Sequence, residues 1–172
     1  MPEPTSLRDY QRGLSAQLAD LHTLRSASKL GIVAGNCHWL VDLVDTGEVI
    51  PVPTIAPVPL TRGWYTGVAN VRGNLYSVID FSAFLGGAPA VRSESSRLLL
   101  ISDKYRVGCA LLIDAIVGLR NPQLFVRTTD AADAAPWVEA HYVDRDKTVW
   151  VELAVAQLVQ HPDFLDIGAR SP

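Results

Sequence analysis

The residues best suited to chemistry in this sequence are a neighbouring cysteine and histidine and two acids that each follow an apolar stretch. Cys37 and His38 could form a nucleophile with its base, and Asp80 with Glu152 could act as a general acid and base. A strand is predicted over residues 38–44 and would put adjacent side chains on opposite faces, which argues against the Cys–His pair. An acid before a helical turn commonly caps free N–H groups, and we favour this interpretation for Asp80 and Glu152. A hydrolase using the two acids is an alternative that an unchanged phenotype of the double alanine variant would exclude.

Metal and phosphate chemistry are not indicated. Cys37 and Cys109 are far apart, and neither belongs to a CxxC motif or has a histidine at ligand spacing, so free, buried thiols are expected rather than a disulfide or a zinc site. Gly63, Gly67 and Gly73 do not form a GxGxxG pattern. The sequence therefore predicts no catalytic residue, no cofactor and no bound metal, and we expect a protein that is not an enzyme.

A cluster of aromatic residues, glycines and an arginine stands out between residues 63 and 73. Aromatic residues and arginine are enriched in protein interfaces, which makes this segment a candidate partner-binding site. Trp64 could equally fill a hydrophobic core, and Arg72 could be a solvated turn residue. The candidate residues are Asn70, Val71, Arg72, Gly73, Trp64 and Tyr65.

The composition excludes several classes of protein. The chain has 172 residues, of which 48% are hydrophobic, and a net charge of -3, so it is neither disordered nor basic. No apolar run approaches the roughly 20 residues that a membrane helix needs. Basic residues alternate with acidic ones, which makes nucleic acid an unexpected partner. The first six residues do not resemble a secretory signal, so we expect a cytoplasmic protein without membrane insertion of its own.

The elements that position the candidate site are mostly strands. Residues 6–28 have leucines seven apart and predict an amphipathic helix, which could pack on its own domain or bind a partner. After Lys29, short apolar runs alternate with turn residues, as in an all-β protein, and Gly35-Asn36 predicts a hairpin turn. A proline-rich loop is expected over residues 54–61, and short helices over 81–85 and 153–159.

The two halves of the chain match at a constant offset of 72 residues. Val41-Asp42 corresponds to Ile113-Asp114, and Ile79-Asp80 corresponds to Val151-Glu152. Such self-similarity indicates a duplicated unit. Each unit has about five short strands, and closing them into a barrel removes exposed edges. We therefore predict an all-β fold of two small barrels that lie side by side with a groove between them.

The segment from Gly67 to Gly86 resembles the CheW family of chemosensory adaptors. Residues Gly67–Gly73 followed by Val78-Ile79-Asp80 and Leu85-Gly86 match the family's "GxxNxRGxxxxVIDLxxxLG" segment, with Val71 and Phe81 as conservative departures. The resemblance runs from about residue 30 to residue 165. It favours the branch of the family that serves type IV pilus twitching motility. It also implies a fold of two five-stranded SH3-like barrels, with 1–28 as an N-terminal helix, 29–165 as the CheW-like domain and 166–172 as a tail.

What the resemblance implies about function is a scaffold without catalysis. Family members join the signalling tip of a methyl-accepting chemoreceptor to the regulatory domain of a CheA-type histidine kinase, so the protein would associate with membrane receptor arrays through its partners. Receptor binding in the family involves the groove beside the NxRG turn, which corresponds here to Asn70, Val71, Arg72 and Gly73. The alternative is a double-barrel module that binds another ligand or a nucleic acid and has no connection with receptor arrays.

Overall fold

The computed structural model describes residues 28–128 and 135–169, and the chain there is almost entirely strand. The predicted helix of residues 6–28 lies outside the described residues except for Ser28, which is not helical. The strands and helices are β1 Lys29–Ala34, β2 Cys37–Asp42, β3 Thr46–Pro51, β4 Ile55–Ala56, β5 Tyr65–Val71, β6 Asn74–Asp80, α1 Phe81–Phe84, β7 Arg97–Ile101, β8 Cys109–Ile113, β9 Ala115–Arg120, β10 Val126–Thr128, β11 Val138–Val143, β12 Val149–Leu153, α2 Val155–Leu158 and α3 Pro162–Leu165.

Most elements lie where the residue pattern predicts them. The β1–β2 hairpin turns at Gly35 and Asn36, whose φ angles of 60° and 63° are those of a two-residue turn that favours glycine and asparagine. The predicted proline-rich loop contains one unforeseen element, because Ile55 and Ala56 form β4 and pair with β5. Prolines cannot donate to a ladder, and neither of the two residues that pair is a proline.

The strands form two six-stranded sheets that each combine both halves of the sequence. The first sheet has the order β10-β11-β12-β2-β1-β9, and the second has the order β3-β7-β8-β6-β5-β4. Each sheet therefore has six strands instead of the predicted five, and takes two of them from the other half. The exchange depends on two parallel pairings, β12 with β2 and β6 with β8. Because the halves share ladders, neither sheet can form without the other half of the chain.

The second sheet curls into a barrel. β3 and β4 lie at opposite ends of its strand order. In a flat sheet with ~4.8 Å between neighbouring strands, they would be about 24 Å apart. Pro51 ends β3 and Ile55 begins β4, and four steps of 3.8 Å span at most about 15 Å. The sheet must close on itself for this connection to be made. The predicted all-β fold of two small barrels is confirmed.

The structure has two hydrophobic clusters, one inside the second barrel and the other in the space between the sheets. Leu98 on β7 and Leu112 on β8 belong to the cluster inside the second barrel. Their neighbours Leu99 and Leu111 belong to the cluster between the sheets, together with Ile32 of β1. Side chains alternate along a strand, so β7 and β8 are buried on both faces. This double burial explains their uninterrupted apolar sequences.

The parallel pairings repeat at the offset seen in the sequence. On β6 and β8, Val78 lies opposite Ala110 and Asp80 opposite Leu112. Trp150 and Glu152 of β12 are 72 positions after Val78 and Asp80. They lie opposite His38 and Leu40 of β2, which are 72 positions before Ala110 and Leu112. The two halves thus share a register as well as an order of elements.

Residues beyond α3 remain attached to the fold as far as they are described. The N–H of Arg62 donates to the carbonyl of Ile167, and the N–H of Ala169 donates to that of Leu60. Arg62 Nη2 also lies 2.5 Å from Asp166 Oδ2. The described residues after α3 are therefore bonded to the connection between β4 and β5. Within the described ranges, no helix has the length and apolarity to cross a membrane.

Candidate functional site

The β5–β6 hairpin presents a tight, exposed turn built by three of the candidate residues. Arg72 and Gly73 have φ angles of 52° and 89°, and Val71 pairs directly with Asn74, which defines a two-residue turn with both central residues at positive φ. The Asn70 side-chain oxygen accepts a hydrogen bond of 2.9 Å from the N–H of Gly73. Asn70 and Gly73 therefore shape the turn, and they hold Arg72 in a backbone conformation that a non-glycine residue seldom adopts.

Arg72 is the exposed charge at the tip of this turn. Its side chain is 75% exposed, and its Nη2 lies 2.6 Å from Oε1 of Glu48 on β3. The two residues are 24 apart in sequence, and the curled sheet brings them together. An exposed ion pair of this kind contributes little to stability. The pair orients the Arg72 guanidinium at the tip of the turn, where most of the side chain faces solvent.

Glu48 is the residue of this site that the sequence did not reveal. It lies on β3, the edge strand of the second sheet, and no local motif connects it to the β5–β6 turn. Only the barrel closure places it beside Arg72. Opposite-charge residues at the positions of Glu48 and Arg72 in related sequences could have supplied the missing signal.

The neighbours of the turn divide into an anchor and an exposed apolar side chain. Val71 is 8% exposed and packs in the cluster inside the second barrel, so its side chain anchors the turn and is out of reach of a partner. Leu75 pairs with Asn70 on the next strand and is 69% exposed. The exposed surface around the turn combines the Arg72–Glu48 pair with Leu75.

Trp64 and Tyr65 lie at the opposite end of β5 from this turn. The strand of seven residues separates Tyr65 from Val71 by about 20 Å at ~3.3 Å per residue. Tyr65 is buried, and its hydroxyl lies 3.1 Å from the Ser77 hydroxyl. Trp64 packs against Phe84 at 5.3 Å between ring centroids, within the cluster between the sheets. The structure therefore does not bring these two aromatic residues together with Arg72, and it packs the partly buried Trp64 against the core.

Gly67, the first glycine of the motif, has a structural role. Its φ is +137°, and a Cβ atom built there would lie 2.1 Å from the carbonyl oxygen of Ala56. Such an approach is impossible for any other residue. Gly67 therefore lets β4 pair closely with β5, and this pairing completes the barrel.

The two acids considered for catalysis lie in different sheets and have different structural roles. Asp80 caps α1, accepting from the N–H of Ala83 at 3.0 Å and from that of Ala90 at 2.8 Å, as predicted. The capping role predicted for Glu152 is wrong. Its Oε1 lies 2.5 Å from Lys29 Nζ, and its Oε2 accepts from the Tyr142 hydroxyl at 2.7 Å. Leu153 and Ala154 separate it from α2, so its side chain turns to the inside of the first sheet instead.

The buried polar groups shift in pKa for identifiable reasons. Burial works against the charged form of Lys29, but its bonds to Asp42 and Glu152 outweigh this and raise its pKa. Burial, reinforced by the bond to Glu152, raises the pKa of Tyr142 to about 12. Burial also raises the pKa of the Cys109 thiol to about 12. A thiol of this kind is unreactive.

Neither the Cys–His pair nor a metal cluster forms a reactive centre in the described part of the chain. Cys37 is exposed, whereas its neighbour His38 packs against Trp150 with 5.0 Å between ring centroids. The expectation of a buried Cys37 is thus wrong, because it sits at the open start of β2, while Cys109 is buried as expected. No group of three or more His, Cys, Asp or Glu residues that could hold a metal occurs within 28–128 and 135–169.

Comparison with known proteins defines the class to which this fold and turn belong. The family model for the CheW-like domain matches residues 30–163. The chain belongs to the CheW-like family, whose members are non-enzymatic scaffold proteins of chemosensory signalling.

Two known proteins are similar to the chain over most of its length. It is 28% identical over 160 residues to protein PilI of Pseudomonas aeruginosa, a match that covers 91% of this chain and 89% of PilI. The crystal structure of the scaffolding protein TtCheW from Thermoanaerobacter tengcongensis shares the fold, with a TM-score of 0.64 at 16% identity, covering 86% of this chain and 97% of TtCheW.

Proposed function

We propose that this protein couples the signalling tip of a methyl-accepting chemoreceptor to a CheA-type histidine kinase. The similarity to PilI supports a pathway that controls type IV pilus twitching motility. One observation carries the receptor side of the proposal: Arg72 stands exposed on a turn whose conformation Asn70 and Gly73 fix, beside Glu48 and the apolar Leu75. A helical receptor tip with an acidic and an apolar side chain at helical spacing fits this surface.

The exchange of strands between the halves suits a protein that transmits a signal without catalysis. β2 pairs with β12 across the halves, and β6 with β8, so the barrels are linked by two ladders as well as a common core. A receptor bound to one barrel is then held at a fixed angle to a kinase bound elsewhere on the protein. The signal passes as a shift in the populations of kinase states, provided that the adaptor binds both partners.

The test is binding of a hairpin peptide from a receptor signalling tip to the wild type and to Arg72→Glu. We expect Arg72→Glu to weaken binding by at least about tenfold, which corresponds to the loss of one charge-assisted contact. Arg145→Glu is the matched control, because Arg145 is an exposed arginine in the β11–β12 turn, the corresponding hairpin of the other half. Circular dichroism establishes that each variant is folded.

The role of Glu48 is tested by reversing the ion pair. If Arg72 itself binds the receptor, the double variant Glu48→Arg/Arg72→Glu restores the ion pair but leaves binding weak. If binding returns in the double variant, the pair acts only by holding the turn, and the direct contact by Arg72 is refuted. Equal weakening by Arg72→Glu and Arg145→Glu would indicate a general effect of charge and refute the assignment of this turn.

A further inference from the structure

The outer strand of the first sheet carries apolar side chains that continue the core but remain exposed. On β9, Leu119 lies opposite Leu30 and Ile116 lies opposite Ile32. Directly opposed residues of an antiparallel pair point to the same face, and Leu30 and Ile32 belong to the core between the sheets. Ile116 and Leu119 are nevertheless 40% and 60% exposed among the residues that the structure describes. We call Ile116 and Leu119 the β9 strip.

The outer strand of the second sheet, β3, borders β7 and β8 as β9 borders β1 and β2 in the first, and it shows that this exposure is particular to one sheet. Val49 on β3 faces Leu99, just as Ile116 on β9 faces Ile32. Val49 is partly buried and packs against the core between the sheets. The equivalent position is therefore covered in the second sheet and open in the first.

The chain enters the fold beside the β9 strip. Lys29, the first residue of β1, pairs with Arg120 at the end of β9, so residues 1–27 join the described structure next to Leu119. These residues lie outside the described ranges, and their sequence carries the amphipathic pattern of an α-helix. At 100° per residue the apolar side chains fall within an arc of about 120°; they are Leu7, Tyr10, Leu14, Leu18, Leu21 and Leu24.

We propose that the amphipathic segment of residues 6–27 packs its apolar face on the β9 strip of the same chain. Ile116 and Leu119 lie opposite Ile32 and Leu30, which are two residues or about 6.6 Å apart at ~3.3 Å per residue, because β9 carries an extra residue at a bulge. Leu14 and Leu18 would be about 6 Å apart on a helix at 1.5 Å per residue, so the two pairs match in spacing. The small residues Ser26, Ala27 and Ser28 provide the reversal of direction that such packing requires.

Covering the strip also protects an edge of the first sheet. Among the described strands β9 pairs only with β1, and an exposed apolar edge strand favours association with other chains. Residues 6–27 would remove this surface from solvent. The segment then acts as part of the domain and is not an arm that recruits a further partner.

Hydrogen exchange on the full chain tests the proposal. We expect the backbone amides of residues 6–27 to exchange at least about tenfold more slowly in the wild type than in Leu119→Glu. Leu60→Glu is the matched control, since Leu60 is 86% exposed in the connection between β4 and β5 of the second sheet, and it should leave the exchange of residues 6–27 unchanged. Leu21→Asp changes the segment instead of the sheet, and it should speed the exchange equally while β1 and β9 keep their protection.

A cysteine pair distinguishes packing within one chain from packing between two copies. In a Cys37→Ser background, Leu21→Cys and Leu119→Cys should form a disulfide that leaves the protein monomeric on a non-reducing gel. The buried Cys109 does not compete. Exchange of residues 6–27 that is fast in the wild type, or that Leu119→Glu leaves slow, would overturn the proposal. A cross-linked dimer would overturn it in favour of a second copy.

Discussion

The buried charge cluster inside the first sheet gives the sharpest prediction about stability. Lys29 Nζ lies 2.8 Å from Asp42 Oδ1 and 2.5 Å from Glu152 Oε1, with the side chains of Lys29 and Glu152 only 14% and 7% exposed. Lys29→Met removes the ammonium group and leaves the Glu152 carboxylate buried, with the Tyr142 hydroxyl still bonded to it. Removing one partner of a buried pair costs about 3–5 kcal/mol. That is a large fraction of the ~5–15 kcal/mol that stabilises a typical domain.

Urea unfolding measures this cost, and heating provides a second readout. A loss of about 3 kcal/mol corresponds to a fall in Tm of about 6–12 °C for a domain of this size. Adding Glu152→Gln to Lys29→Met removes the uncompensated charge and keeps an acceptor for Tyr142, so we expect at least half of the lost stability to return. Lys104→Met is the matched control, because Lys104 pairs with Asp45 while its side chain is 45% exposed.

Two results would refute this reasoning. If Lys29→Met costs no more than Lys104→Met, the cluster is hydrated and its burial does not matter. If Glu152→Gln adds its own cost to that of Lys29→Met, the carboxylate stabilises the fold independently of the lysine. Either result would exclude a coupled, buried pair.

Three further predictions follow from the described structure. The pKa values of Lys29 and Tyr142 are raised in the folded state, so the unfolded chain loses these protons at lower pH than the folded protein does. The urea midpoint should therefore fall as pH rises above about 10 toward 12, and it should fall less steeply in Tyr142→Phe. A urea midpoint that increases with pH would contradict this network. A thiol reagent at neutral pH should label Cys37 quickly and Cys109 only after denaturation, and two fast thiols in the native protein would contradict the burial of Cys109. Gly67→Ala should lower the free energy of unfolding, measured in urea, by more than about 3 kcal/mol, because both the clash with β4 and the positive φ oppose an alanine. A loss below about 1 kcal/mol would show that β4 does not lie so close to Gly67.

Local features of the fold could be predicted from the sequence because they depend on near neighbours. Gly35-Asn36 specifies its turn through backbone conformation, and Asp80 caps α1 through a hydrogen bond to Ala83. The motif around Asn70 and Arg72 likewise describes a hairpin that is complete within a few residues. Each of these features appears in the structure where the residue pattern places it.

Non-local pairing is what the residue pattern could not supply. The duplication at an offset of 72 indicated two similar units but not that β2 would join β12, or β6 join β8, across them. Periodicity reports which face of a strand is buried and says nothing about which strand lies beside it. The same limit applies to the candidate site. Glu48 reaches Arg72 only through closure of the barrel, and Trp64 packs against the core between the sheets.

The most direct test of an adaptor is whether it brings two other proteins together. Assemblies of a chemoreceptor signalling fragment are sedimented with a CheA-type kinase, in the absence and presence of this protein, and the kinase in the pellet is measured. We expect the wild type to raise recovery of the kinase, and Arg72→Glu to raise it far less while still binding the kinase alone. Kinase recovery that the wild-type protein leaves unchanged would contradict the proposed coupling of receptor to kinase.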